Sequence, residues 1–84
     1  MKEGREMNQE LNVFITRNKT KEEEGMEWNF KPDEQNRIYE ALLDATNGEE
    51  ELSKELLEWS KTAKLGEERK FKGGKIEVNN MMFL

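Results

Sequence analysis

Acidic side chains are the residues of this chain whose type and spacing could do chemistry, and that chemistry would be electrostatic recognition. Glu51, Glu55 and Glu58 stand at positions i, i+4 and i+7, which places them on one face of a helix. A row of carboxylates can take the place of phosphate groups on a basic protein surface. With Asp44 and Glu50 these residues form the predicted protein-binding face. A merely solvated helix face is the alternative explanation of the pattern.

Basic side chains near the C-terminus offer a second kind of chemistry. Arg69, Lys70, Lys72 and Lys75 could contact phosphates while Phe71 stacks on a base. A hairpin that packs Phe71 and is solubilised by its lysines explains the segment better, because the net charge of −5 opposes approach to a polyanion. Nucleic-acid binding through these residues is therefore the alternative, and direct contact with nucleic acid is not the first expectation.

Catalysis and metal binding are not expected. The 84 residues include no histidine and no cysteine, so the usual triads, thiol nucleophiles and zinc sites cannot be built. The segment from Asp44 to Glu55 superficially resembles a calcium loop, but its Gly48 stands at position five, whereas an EF-hand requires glycine at position six. We expect no enzymatic activity, no cofactor and no bound metal.

Length and charge limit the kind of molecule that this chain can form. Eighty-four residues, 33% of them hydrophobic, make one domain with a small core. Residues 21–60 carry 13 acids and 4 bases, so the acidity lies in the middle of the chain. No apolar signal region and no run of about 18 apolar residues is present, and we expect a cytoplasmic protein of a bacterial or host cell without membrane contact.

The two ends of the chain differ in character. Residues 1–9 are mostly polar, and we expect a flexible leader there, followed by a single α+β domain over residues 10–84. Residues 81–84 are all apolar, and we expect them to join the core or an interface.

Alternating apolar residues predict an N-terminal hairpin. Residues 11–16 and residues 26–31 both show the period of two that is typical of a strand. The polar residues 18–25 would connect the strands, in a loop longer than the usual two to five residues. This length makes the loop a place to look for function.

Helical spacing follows in the middle of the chain. A first helix is predicted over residues 33–46, starting after Pro32 and ending at Asn47-Gly48. A second is predicted over residues 49–65, opening with three glutamates and stopping at Gly66.

A second hairpin is predicted around Gly73-Gly74, which suit the central positions of a type I′ turn. That turn would place Phe71 opposite Ile76 and Lys72 opposite Lys75. The order ββααββ then predicts an α+β fold, a small antiparallel sheet of two hairpins with two helices packed on one face. The expected core consists of Trp28, Phe30, Leu42, Leu56, Trp59, Phe71 and Ile76.

In size, acidity and lack of catalytic residues, the chain resembles small inhibitors made by phages and other mobile elements, a likeness of composition with no motif behind it. The sequence favours a small acidic protein-binding module that blocks a host enzyme, one that acts on nucleic acid, by occupying its basic surface. One alternative is an accessory protein that binds nucleic acid through the basic hairpin. Another is a structural or assembly subunit that associates with itself.

Overall fold

A four-stranded antiparallel sheet with two helices forms the described part of the protein. The computed structural model describes residues 11–80, and the predictions for the leader and for the apolar tail lie outside them. In chain order the elements are β1 (Asn12–Arg17), β2 (Met26–Phe30), α1 (Gln35–Ala45), α2 (Glu50–Thr62), β3 (Glu68–Phe71) and β4 (Gly74–Asn79). The sheet order is β2-β1-β4-β3, and the predicted α+β fold with the order ββααββ is confirmed.

One face of the sheet carries the core. Val13 and Ile15 on β1 stand opposite Val78 and Ile76 on β4, and all four are buried. The alternation of strand side chains directs these residues to the same side, where both helices contribute to the core. The helical contribution comes from Ile38, Ala41, Leu42, Ala45 and Leu56. α1 packs mainly on β1 and also on β2, while α2 lies against β4.

The aromatic residues of the expected core are only half-buried. Leu42, Leu56 and Ile76 are buried as predicted, but Trp28, Phe30, Trp59 and Phe71 pack around the rim of the core. The reason is topological for three of them, because β2 and β3 are the edge strands of the sheet. Trp59 lies near the end of α2 and has the guanidinium of Arg69 over its ring, 5.8 Å from the centroid.

Both helices are shorter than predicted. α1 starts at Gln35 because the residues before it form a turn, in which the backbone N–H of Lys31 donates to the Glu34 carboxylate at 2.9 Å. α2 ends at Thr62 because Ala63 is extended, with ψ of 149°. Gly66, with φ of 90°, belongs to the next turn, where its N–H donates to the carbonyl of Val78 at 2.8 Å. Helical spacing located both helices, whereas hydrogen bonds to neighbouring segments set their ends.

The turn of the second hairpin lies one residue earlier than predicted. Its central residues are Lys72 and Gly73, of which Gly73 has a positive φ of 106°. The observed register pairs Phe71 with Gly74, Lys70 with Lys75, Arg69 with Ile76 and Glu68 with Glu77. The predicted pairing of Phe71 with Ile76 and of Lys72 with Lys75 is therefore wrong.

Gly74 explains the shift of that turn. It lies inside β4, opposite Arg17 of β1, and a Cβ atom at this position would collide with the carbonyl of Thr16. The absence of a side chain lets β1 and β4 approach each other, so the two glycines have different tasks. Gly73 supplies the positive φ of the turn and Gly74 supplies the close strand contact.

Candidate functional site

Three connections meet at one end of the sheet and enclose a cleft of about 570 Å³. They are the β1–β2 loop, the turn between α1 and α2, and the β3–β4 turn. We call this feature the acidic cleft, because four of its lining residues are the acids Glu22, Glu23, Asp44 and Glu49. Arg17 and Lys72 are the basic residues of the lining.

An internal ion pair holds one wall of the acidic cleft. The Nη1 atom of Arg17 lies 2.6 Å from Oδ1 of Asp44 and 3.9 Å from Oε1 of Glu23. Its Nη2 atom donates to the carbonyl of Glu24 at 2.9 Å. The Arg17 side chain is 18% exposed, whereas that of Asp44 is 46% exposed. Asp44 therefore fastens α1 to the end of β1, where Arg17 also binds the β1–β2 loop, and still presents part of its carboxylate to solvent.

Two buried hydroxyl groups fix the turn between the helices. The Thr46 and Ser53 hydroxyl oxygens lie 3.0 Å apart, and both residues are buried. The Thr46 hydroxyl also accepts a hydrogen bond from the backbone N–H of Glu49 at 3.3 Å. Asn47 and Gly48 have φ values of 64° and 87°, so the chain reverses there as predicted. These contacts set the position of the α2 N-terminus beside the acidic cleft.

The acidic ridge, defined as Glu51, Glu55 and Glu58, is exposed along α2. It lies on the helix face turned away from the buried residues Ser53 and Leu56, as the spacing of 3.6 residues per turn requires. The carboxylate of Glu58 accepts a hydrogen bond from Lys61 at 2.8 Å.

The predicted face is therefore split between two elements. Glu50 is exposed in the first turn of α2, together with Glu51. Asp44 lies across the interhelical turn, at the wall of the acidic cleft. The residue before α2, Glu49, lines the cleft, so the ridge begins within one helical turn of it.

Sequence reasoning missed three carboxylates of the cleft. Glu22 and Glu23 belong to the β1–β2 loop, and Glu49 precedes α2. The signal for the first two was present in the run of three glutamates inside an unusually long loop. That the loop folds beside Asp44 depends on the sheet order, which the sequence pattern does not contain.

The four residues of the alternative basic site do not form one surface. Arg69 points to the helix side of the sheet, where it lies over Trp59. Lys70 and Lys75 stand opposite each other on the other face of the sheet. Lys72 lies in the β3–β4 turn and lines the acidic cleft.

Acidic neighbours further weaken the basic site. The Nζ atom of Lys75 lies 3.4 Å from a carboxylate oxygen of Glu68 and 3.8 Å from one of Glu77. Phe71 packs against the core, so its ring is partly withdrawn from any base.

Neither a metal cluster nor a spanning helix is found in residues 11–80. No group of three or more acids lies close enough together there to hold a metal ion. None of the helices in this range is long and apolar enough to cross a membrane. The expected lack of catalytic activity stays a prediction.

Comparison with known proteins leaves the site to be interpreted from its own geometry. No protein-family model, no curated protein and no solved structure matches the chain.

Proposed function

We propose that this protein is a small acidic protein-binding module, of the inhibitor type that phages and other mobile elements make. It occupies the basic surface of a partner enzyme that acts on nucleic acid, and it carries out no chemistry itself. The observation that supports this proposal is the exposed row Glu50, Glu51, Glu55 and Glu58 on one helix, which continues into the acidic cleft through Glu49.

Carboxylates on a helix suit recognition of arginine and lysine. Their hydrogen bonds to cationic groups are stronger than those between neutral groups, and arginine can bind a carboxylate in a bidentate manner. Neighbours at i and i+4 are separated by about 5–6 Å between Cβ atoms, so several can contact one basic groove. Most of the row has no ion pair among the described residues, Glu58 with Lys61 being the exception.

Anchoring of α2 supports the same function. The buried pair Thr46 and Ser53 fixes the start of the helix, and Leu56 holds its middle in the core. A surface that is already ordered loses less conformational entropy when it binds a partner.

Capture from a bacterial lysate tests the proposal, with a charge-reversed variant and a matched control. The variant is Glu51→Lys with Glu55→Lys. The control is Asp33→Lys with Glu67→Lys, which makes the same change in net charge at exposed residues of the turns before α1 and before β3. Circular dichroism verifies that both variants keep the fold.

We expect the wild type and the control to retain a stoichiometric protein partner after nuclease treatment, and the Glu51/Glu55 variant to lose it. Recovery of nucleic acid without a protein partner would refute the proposal and favour the basic hairpin. Equal loss in both variants would mean that net charge, and not this face, determines binding.

A further inference from the structure

The edge strand β2 carries apolar side chains that the helices leave partly uncovered. Met26 is 48% exposed, and Trp28 and Phe30 are half-buried. All three lie on the helix side of the sheet, because they pair with Arg17, Ile15 and Val13 of β1. Beside them runs a groove of about 420 Å³ between β2 and α1. An exposed edge strand that carries apolar residues is a template for pairing with another strand.

The sequence of β2 is complementary to itself when two copies are antiparallel. A two-fold axis through Trp28 places Met26 opposite Phe30 of a second copy, and the two Trp28 residues opposite each other. On the other face the same axis places Glu27 opposite Asn29. No like charges meet, and the apolar pairs lie on one face, which is the pattern that stabilises antiparallel strands.

Charges on α1 are complementary under the same axis. The groove is lined by Arg37 at one end and by Glu40 and Asp44 towards the other. Asp44 lies at the Met26 end of β2, because its ion-pair partner Arg17 is paired with Met26. The two-fold axis reverses the groove, so Arg37 of each copy is brought towards Glu40 and Asp44 of the other.

The other edge strand, β3, is not complementary to itself. β3 has the sequence Glu68, Arg69, Lys70 and Phe71. Directly opposite residues of an antiparallel pair project to the same face, so the two-fold axis must pass through a residue. An axis through Arg69 or through Lys70 places that cation opposite its own copy. Like charges directly opposite destabilise a strand pair, so self-pairing is favoured at β2 and opposed at β3.

We propose that two copies of this protein associate through β2, and that their sheets form one continuous sheet of eight strands, four from each copy. Met26, Trp28 and Phe30 of both copies fill the space between the two α1 helices. On either side of these apolar residues, Arg37 of one copy lies near Glu40 of the other. A two-fold interface repeats every contact, so a single substitution acts twice.

Sedimentation equilibrium over a range of protein concentrations tests the interface. We expect a dimer for the wild type, and also for residues 1–80, which lack the apolar tail. Met26→Lys should raise the dimer dissociation constant by roughly tenfold or more, because it places a charge opposite Phe30 at two sites. Lys70→Glu, on the opposite edge, is the matched control and should leave the constant unchanged.

A charge swap within α1 gives an independent result that a folding defect would not reproduce. Arg37, whose side chain is 74% exposed, can be changed without disturbing the core. Arg37→Glu should weaken the dimer, whereas Arg37→Glu combined with Glu40→Arg should restore it. A wild type that is monomeric at every concentration would overturn the proposal. A dimer that resists both Met26→Lys and Arg37→Glu would also overturn it. The same holds for a dimer that is lost on truncation to residues 1–80, and for one that Lys70→Glu weakens.

Discussion

At the scale of single residues, small polar groups determine the site more than the acids themselves do. The hydroxyl groups of Thr46 and Ser53 lie 3.0 Å apart in the core and join the interhelical turn to α2. A polar group that is buried must keep its hydrogen-bond partner, and its loss costs more than the bond itself contributes. The position of Glu49 in the cleft wall therefore depends on two buried hydroxyl groups.

Ser53→Ala should lower the free energy of unfolding by about 0.5–1.5 kcal/mol, because the buried hydrogen bond between the Ser53 and Thr46 hydroxyls is lost while Thr46 keeps its bond to Glu49. Ser60→Ala is the matched control on the same helix. Its hydroxyl donates to the carbonyl of Leu57, within the helix and half-exposed, so we expect a change within about 0.5 kcal/mol. Urea denaturation measures both, and equal stability of the two variants would contradict this role of Ser53.

The sequence predicted the burial of the aliphatic core residues but not the partial exposure of the aromatic ones. The buried aliphatic residues Leu42, Leu56 and Ile76 followed from periodicity. The half-exposure of Trp28, Phe30 and Phe71 did not, because periodicity shows which face of a strand is apolar and not whether the strand lies at an edge.

At the scale of elements, the number and type of helices and strands were predictable from local pattern, whereas turn register was not. The β1–β2 loop spans residues 18–25 as predicted, since apolar alternation stops and restarts clearly on either side of it. The second hairpin is shifted by one residue, because a contact between Gly74 and β1 decided the register. A tertiary contact therefore overrode the preference of two glycines for a turn.

Gly74→Ala should cost about 3 kcal/mol, because the new methyl group would collide with the backbone of Thr16 between two central strands. A small domain of marginal stability would largely unfold. Gly48→Ala provides the comparison, since Gly48 has φ of 87° and open space around it. Only the strain of positive φ remains there, about 1–2 kcal/mol. Thermal denaturation should separate the two variants, and similar melting temperatures would refute the strand-contact explanation.

At the scale of the whole molecule, the sheet order brings the three connections of the candidate site together at one end of the sheet. The order β2-β1-β4-β3 brings the β1–β2 loop and the β3–β4 turn to the interhelical turn, where the acidic cleft forms. The sequence predicted Asp44 and the α2 glutamates as a face, but it could not show that Glu22 and Glu23 join them from a distant loop. The position of Glu22 and Glu23 beside Asp44 depends on contacts between segments that are far apart in the chain.

Electrostatic docking makes a kinetic prediction for the whole molecule, and one measurement tests it most directly. The association rate of the captured partner is measured for the wild type, for Glu51→Lys with Glu55→Lys, and for the control Asp33→Lys with Glu67→Lys. We expect wild-type association to slow steeply as salt rises from about 50 to 200 mM, because screening shortens the range of the field. The Glu51/Glu55 variant should associate roughly tenfold more slowly at low salt and depend little on salt, while the control keeps most of the wild-type rate. Equal rates for all three proteins would contradict docking through the acidic face of α2.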